Sequence, residues 1–405
     1  MKTPKVSLAV LAATNLAKAA LNDIISIDSQ LTYRVLPDFE GNVTENFVDT
    51  STTNTTTSTL FAAARNATFI SYSPDFLSLI GPNPSLQLIT QRNESFANEA
   101  GIWVPPLNEV WFTSSTIDDM TTISVLSLSN LSISTPSLSQ PIINANGGYY
   151  FDSKVYFASD GNAAVPSAIY SVDPVTGETE VLINSYFGLQ FNGPNDITWV
   201  KPPNSNQTFM FFTDDPLSSL FDDGPPPVLV DAVWRFDPTS HSLVPVISRA
   251  DILIPNGIAT NKEQNKLFVT DSTPIDSGTE SLPAGAGNSG SNAIYAFDLV
   301  NDANGIPWPV NKRLFGISRT GIPDGIKVDD QGRVWTGEGE GIVVRDSSGK
   351  VLGLFNAETL LVDRGAGGPL ANFALAGDRL VVEGNERLWI LKLGETVMSP
   401  GRFEG

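Results

Sequence analysis

Apolar residues come along this chain in short runs of about four to six, alternating with polar positions and closed by Gly, Pro, Asn or Asp. Long charged helical runs are absent, and the pattern predicts strands rather than helices. Ser85-Leu86-Gln87-Leu88-Ile89-Thr90 alternates cleanly. From Glu99 onward one unit recurs, consisting of a polar head, a strand, a turn and a second strand. The heads are Glu99, Asn146, Asn195, Asn256, Asp324 and Asn372, separated by 47, 49, 61, 68 and 48 residues. The likeness is plainest in Ile254-Pro255-Asn256-Gly257-Ile258 against Ile322-Pro323-Asp324-Gly325-Ile326.

Each unit continues into a third strand: Ile123–Leu126, Ala168–Asp173, Ala232–Asp237, Ala293–Asp298, Gly341–Asp346 and Arg387–Leu391. A fourth follows in five of them, as in Glu178–Ile183, Leu243–Ile247 and Val351–Phe355. Four short antiparallel strands every ~40–50 residues are the signature of a β-propeller. The sixth unit ends after three strands, and Ser85–Thr90 is the spare strand that would complete it. The expectation is an all-β, six-bladed propeller of four-stranded antiparallel blades, its ring closed by an N-terminal strand so that no blade is left with an open edge.

The propeller is expected over 85–393, followed by a tail over 394–405 and preceded by an extension over 20–84 that wraps on the main body. Within that extension Leu31–Leu36 reads as a strand. The tract Thr50–Thr59 (TSTTNTTTST) reads as a solvated, glycosylated segment with no packed core. Two long head spacings locate insertions at 215–231 and 272–292, both on the head side of their blades and expected to act as lids.

Residues 1–19 read as a signal peptide. Lys2 and Lys5 precede an apolar stretch from Val6 to Ala13, and Ala17-Lys18-Ala19 has the A-x-A form of a cleavage site. Six N-x-[ST] sequons, at Asn42, Asn54, Asn66, Asn93, Asn130 and Asn206, agree with a secreted soluble glycoprotein. No apolar run is long enough for a membrane span. The net charge of −20 offers no basic footprint for nucleic acid. With no cysteine there is no thiolate, disulfide or thiol nucleophile. The single histidine, His241, lies in a turn before an outer strand, so a Ser-His-Asp triad is not supported.

In a propeller the innermost strand of each blade lines the central channel, so the six heads converge at one mouth. Taken singly, Asn-Gly, Asp-Gly and Asn-Asp are ordinary turn dipeptides. Six in phase, only two of them acidic, point instead to one oxygen-lined site. Such ligands select Ca²⁺ first and Mg²⁺ second over Zn²⁺ or Cu²⁺.

The segments NEAGIWVPPLNEVWFT, INANGGYYFDSKVYFA, FGLQFNGPNDITWV, LIPNGIA with LFVTD, and IPDGIKVDDQGRVWTGEGEG resemble the senescence-marker-protein, gluconolactonase and lactonohydrolase family of six-bladed propellers, most closely its secreted fungal lactonohydrolases. The resemblance implies a catalytic Ca²⁺ held by Glu99, Asn256 and Asp324, with Asn195 at both metal and substrate. It also implies hydrolytic opening of a lactone ring, with Asp324 as the base that activates water. Asn146 and Asn372 match the channel position without an established ligand role. Asp271 and Glu338, which follow second strands near the same mouth, are further candidates. Some relatives carry a histidine beside the first Glu; here Asn98 stands there, and a His dyad is excluded. The alternatives are an aryl-ester or organophosphate hydrolase on the same metal site, and a non-catalytic ligand-binding propeller.

Overall fold

The computed structural model describes residues 20–41, 45–117, 120–203, 205–220, 226–273, 291–362 and 370–404. The signal-peptide segment, Asn42 and most of the second insertion lie outside the described residues.

Six sheets, each built on four antiparallel strands, form a six-bladed propeller. Blade 1 comprises Glu99–Val104, Glu109–Thr113, Ile123–Ser127 and Ile133–Ser134. Blade 2 comprises Ala145–Phe151, Lys154–Ser159, Ala168–Val172 and Thr179–Ile183. Blade 3 is built from Pro194–Val200, Phe209–Asp214, Ala232–Asp237 and Ser242–Ser248, and blade 4 from Pro255–Thr260, Lys266–Asp271, Ala293–Asn301 and Pro307–Ile317. Blade 5 holds Ile326–Val328, Val334–Glu338, Gly341–Arg345 and Val351–Asn356. Blade 6 holds Asn372–Ala376, Arg379–Gly384 and Arg387–Lys392. Its fourth strand is Leu86–Gln91, which pairs antiparallel with Arg387–Lys392 and closes the ring across nearly the whole chain.

Apolar side chains alternate toward the two faces of each blade, so neighbouring blades bury them against one another. Aromatic pairs mark these seams. Trp111 of blade 1 meets Phe157 of blade 2 at 6.4 Å, Phe151 of blade 2 stacks on Trp199 of blade 3 at 4.9 Å, and Trp335 of blade 5 meets Phe373 of blade 6 at 6.4 Å.

The extension is integral to the outer edges. Ala20–Leu21 pairs with Leu86–Gln91, while Phe69–Ser71 and then Ile24–Ser26 extend blade 5 beyond Val351–Asn356. Covering those edges removes rows of unpaired backbone groups.

Two expectations for the extension are corrected. Leu31–Leu36 is not a strand; the Asp28 carboxylate accepts the Gln30 N–H and starts a 3₁₀ turn over Ser29–Thr32. The Thr tract is not a solvated coil either, because Thr55–Arg65 is an α-helix. Asn54 caps it by accepting the Thr57 N–H, and Thr57, Phe61 and Ala64 lie on one buried face. The Phe61 ring packs edge-on to Phe47 at 5.1 Å, and the Asn356 amide donates to the Ala64, Arg65 and Ala67 carbonyls.

The C-terminal tail closes the channel at the end opposite the heads. Phe403 lies against Trp103, Tyr149 and Tyr150 of blades 1 and 2. Arg402 donates to the carbonyls of Val328 in blade 5 and Thr260 in blade 4. The space left between this plug and the heads is about 40 Å³. No helix among the described residues is long and apolar enough to cross a membrane.

Candidate active site

Five heads sit in or at the start of the innermost strands and Asp324 lies two residues before its strand, none of them in a turn, and this revises what their glycines do. None of Gly147, Gly257 and Gly325 needs a positive φ. A Cβ at Gly147 would lie 2.4 Å from the Asn195 carbonyl oxygen, one at Gly257 would lie 2.4 Å from the Asp324 carbonyl oxygen, and one at Gly325 would lie 2.6 Å from the Asn372 Cγ. Each glycine lets the head of the next blade come in close. In blade 3 the corresponding residue is Asp196, whose carboxylate accepts the N–H groups of Ile197 and Ile258 and so ties blade 3 to blade 4.

Second-strand threonines lock the same ring. The hydroxyls of Thr113, Thr213 and Thr270 donate to the main-chain carbonyls of Asn146, Asn256 and Asp324, at 3.4, 2.6 and 2.9 Å, each on the following blade. Thr270 Oγ1 also accepts the Gly257 N–H at 2.7 Å. Thr270→Val would leave both buried groups without a partner, at about 1–3 kcal/mol each. We expect a lower urea midpoint with an unchanged m-value, and weakened turnover because Asp324 loses its anchor.

Glu99, Asn146, Asn195, Asn256 and Asp324 line one cleft of about 410 Å³. Asn372 joins them from behind, its Nδ2 donating to Glu99 Oε2 at 3.1 Å. Asn98 Nδ2 lies 3.3 Å from Glu99 Oε1. Burial pushes Asp324 up to about 7, opposed by the Asn256 amide and reinforced by the charge of Asp196. Burial also raises Glu99 far above the usual carboxylate range, reinforced by Asp324, while the Asn372 amide opposes it. Asn146 Oδ1 is buried without a partner.

The floor is thus an oxygen-only donor set of two acids and several amides, and its acids are costly to ionise unless a cation balances them. That chemistry fits Ca²⁺. Among the described residues no three acidic or histidine side chains converge as a ligand group, so a bound ion would rely on the amides.

Asp271 and Glu338 do not line the cleft. Asp271 accepts the Leu253 and Ile254 N–H groups and the Thr273 and Ser291 hydroxyls, clamping its own loop. Glu338 is buried in an ion pair with Arg345 at 2.5 Å. Both carboxylates are used structurally.

The walls come from residues that the repeat did not single out: Ser114, Ser115, Thr116, Thr121 and Asp160, with Leu217 and Ser218 from the first insertion. Those last two lie on a helical turn, Leu217–Leu220, started by Asp215 Oδ1 accepting the Leu217 N–H at 2.8 Å. Part of that insertion therefore does reach the site. His241 stays in its turn with φ 56°.

The SMP-30/Gluconolactonase/LRE-like region matches residues 98–358. The chain belongs to this family. It is 28% identical over 325 residues to lactonohydrolase oryL of Aspergillus oryzae, covering 74% of this chain and 70% of that protein. It is 25% identical over 376 residues to lactonohydrolase oryH of the same fungus, covering 75% and 77%. In fold it is similar to a gluconolactonase of Xanthomonas campestris, with a TM-score of 0.61 and 20% identity over 80% of this chain and 94% of that one. It is also similar to a calcium-binding regucalcin of Agrobacterium tumefaciens, with a TM-score of 0.52 and 17% identity over 77% and 94%.

Proposed function

We propose that this chain is a secreted, calcium-dependent hydrolase that opens lactone rings. The observation that carries this reading is the floor of the cleft, where Glu99 and Asp324 stand among amide oxygens. Family membership and the lactonohydrolase and gluconolactonase names of the relatives support the reaction class.

Glu99, Asn195, Asn256 and Asp324 would hold the ion, which when bound supplies Lewis-acid polarisation of the lactone carbonyl. Asp324 takes the proton of the attacking water as general base. The Asn195 amide orients the ester group. The described residues that line the cleft are acids, amides, hydroxyls and a few apolar side chains.

Export is supported by the basic-apolar-AxA order of residues 1–19 and by the exposure of Asn54, Asn66, Asn93, Asn130 and Asn206. The test is a calcium-replete panel of sugar, pantolactone-like and aromatic lactones beside aryl esters and organophosphates. Lactones should turn over fastest. Calcium binding without turnover of any of these would replace the hydrolase with a ligand-binding propeller.

A further inference from the structure

On the second strand of each blade, one position faces the head. Down the ring it is occupied by Thr113, Ala158, Thr213, Thr270, Gly337 and Glu383. The strand registers set these positions: Glu99 pairs with Thr113 and Asn372 with Glu383, while Ile197 pairs with Phe212, Ile258 with Val269, Gly148 with Phe157 and Ile326 with Thr336. Three threonines there bond to the head of the next blade. Blade 6 alone places a charge at this position, and the next head around the ring is Glu99.

Glu383 is fully buried, and neither of its carboxylate oxygens has a hydrogen-bond partner. Burial raises Glu383 far above the usual carboxylate range, opposed by Lys327, whose Nζ also donates to the Ala100 carbonyl at 3.3 Å, and Glu383 in turn helps to raise Glu99. Its strand partner Asn372 gives its own amide to Glu99. Two acids and one amide thus meet across the seam between blades 6 and 1, directly behind the cleft. An unpaired buried carboxylate costs several kcal/mol, and a neutral side chain of similar shape would avoid that cost.

We infer that Glu383 is a positioning residue of the cation site, placing a second carboxyl behind Glu99 and Asn372 that sets the affinity for a divalent cation. This rests on the calcium reading above. Residues that act on a metal through its direct ligands typically change affinity by about 10–100-fold when replaced.

The experiment is calorimetric titration of Ca²⁺ into metal-stripped wild type, Glu383→Gln and Glu383→Thr, with thermal unfolding of each metal-free protein. Glu383→Gln keeps the shape, and Glu383→Thr installs the residue that blades 1, 3 and 4 carry. Both variants should bind Ca²⁺ about 10–100-fold more weakly, while their metal-free forms unfold at or above the wild-type temperature. Wild-type affinity in Glu383→Gln overturns the inference. So does a loss of affinity confined to a variant whose metal-free form is destabilised, because Glu383 would then be structural only. Absence of Ca²⁺ binding by the wild type would instead overturn the calcium reading.

Discussion

Asp324→Asn is expected to remove lactone turnover, lowering kcat/KM by about 10³-fold or more. Two losses combine. General-base catalysis by a positioned carboxylate contributes roughly 10²–10⁴-fold, and an amide cannot take the proton. The site also keeps only one of its two cleft-lining head carboxylates, so divalent affinity falls as well. The fold should survive, because Asp324 holds the ring through its main chain: its carbonyl accepts from Thr270, and its N–H donates to the Gly337 carbonyl at 2.9 Å. An asparagine keeps both bonds. Initial rates at saturating Ca²⁺, with far-UV circular dichroism as the control for folding, decide the matter. Activity within tenfold of wild type would remove Asp324 from the base role. Folded protein with Ca²⁺ affinity intact and turnover lost would assign it to the chemical step rather than to ion binding.

The repeat was legible because a propeller repeats its backbone pattern, and each blade must put some residue at the channel mouth. Ile-Pro-Asn-Gly-Ile and Ile-Pro-Asp-Gly-Ile are alike because both must admit the head of the next blade. That demand is local enough to read in the string, although its cause, a carbonyl 2.4 Å from where a Cβ would stand, is not. Asp271 and Glu338 show where local reading stops. Each ends a second strand just as Asp214 does, yet the N–H groups that occupy Asp271 come from residues 253 and 254, and the guanidinium that occupies Glu338 sits on the next strand. Glu383 was hidden for a related reason. Seeing it opposite a head requires the strand register, which bulges shift in blades 1 to 4. The Thr-rich helix was misread because its stability is tertiary. Its composition is poor for a helix, but the Asn54 cap and the Phe47, Phe61 and Asn356 contacts override propensity.

Removal of calcium should abolish turnover, and its effect on stability should depend on pH in a way that tests the site independently of any substrate. Without the ion, Asp324 titrates at about 7 in the folded protein, against about 3.9 for an unfolded aspartate. The folded state therefore binds the proton more tightly, and folding stability must fall as that proton is lost. The contribution is fully present below about pH 4 and is lost as pH rises to about 7, on the order of 4 kcal/mol for this group. Glu99, raised chiefly by burial, adds to the same trend. A bound divalent cation balances both carboxylates and removes the cost of ionising them, while protons compete with it below neutrality. The expected result is a chelator-treated protein whose Tm drops between pH 5 and pH 8, and a calcium-induced rise in Tm that is small at pH 5 and large at pH 8. Thermal unfolding in EDTA and in excess CaCl₂ at both pH values measures it. Equal calcium increments at the two pH values would mean that the ion binds away from Glu99 and Asp324, because only carboxylates that hold protons in its absence can make its grip depend on pH across this range.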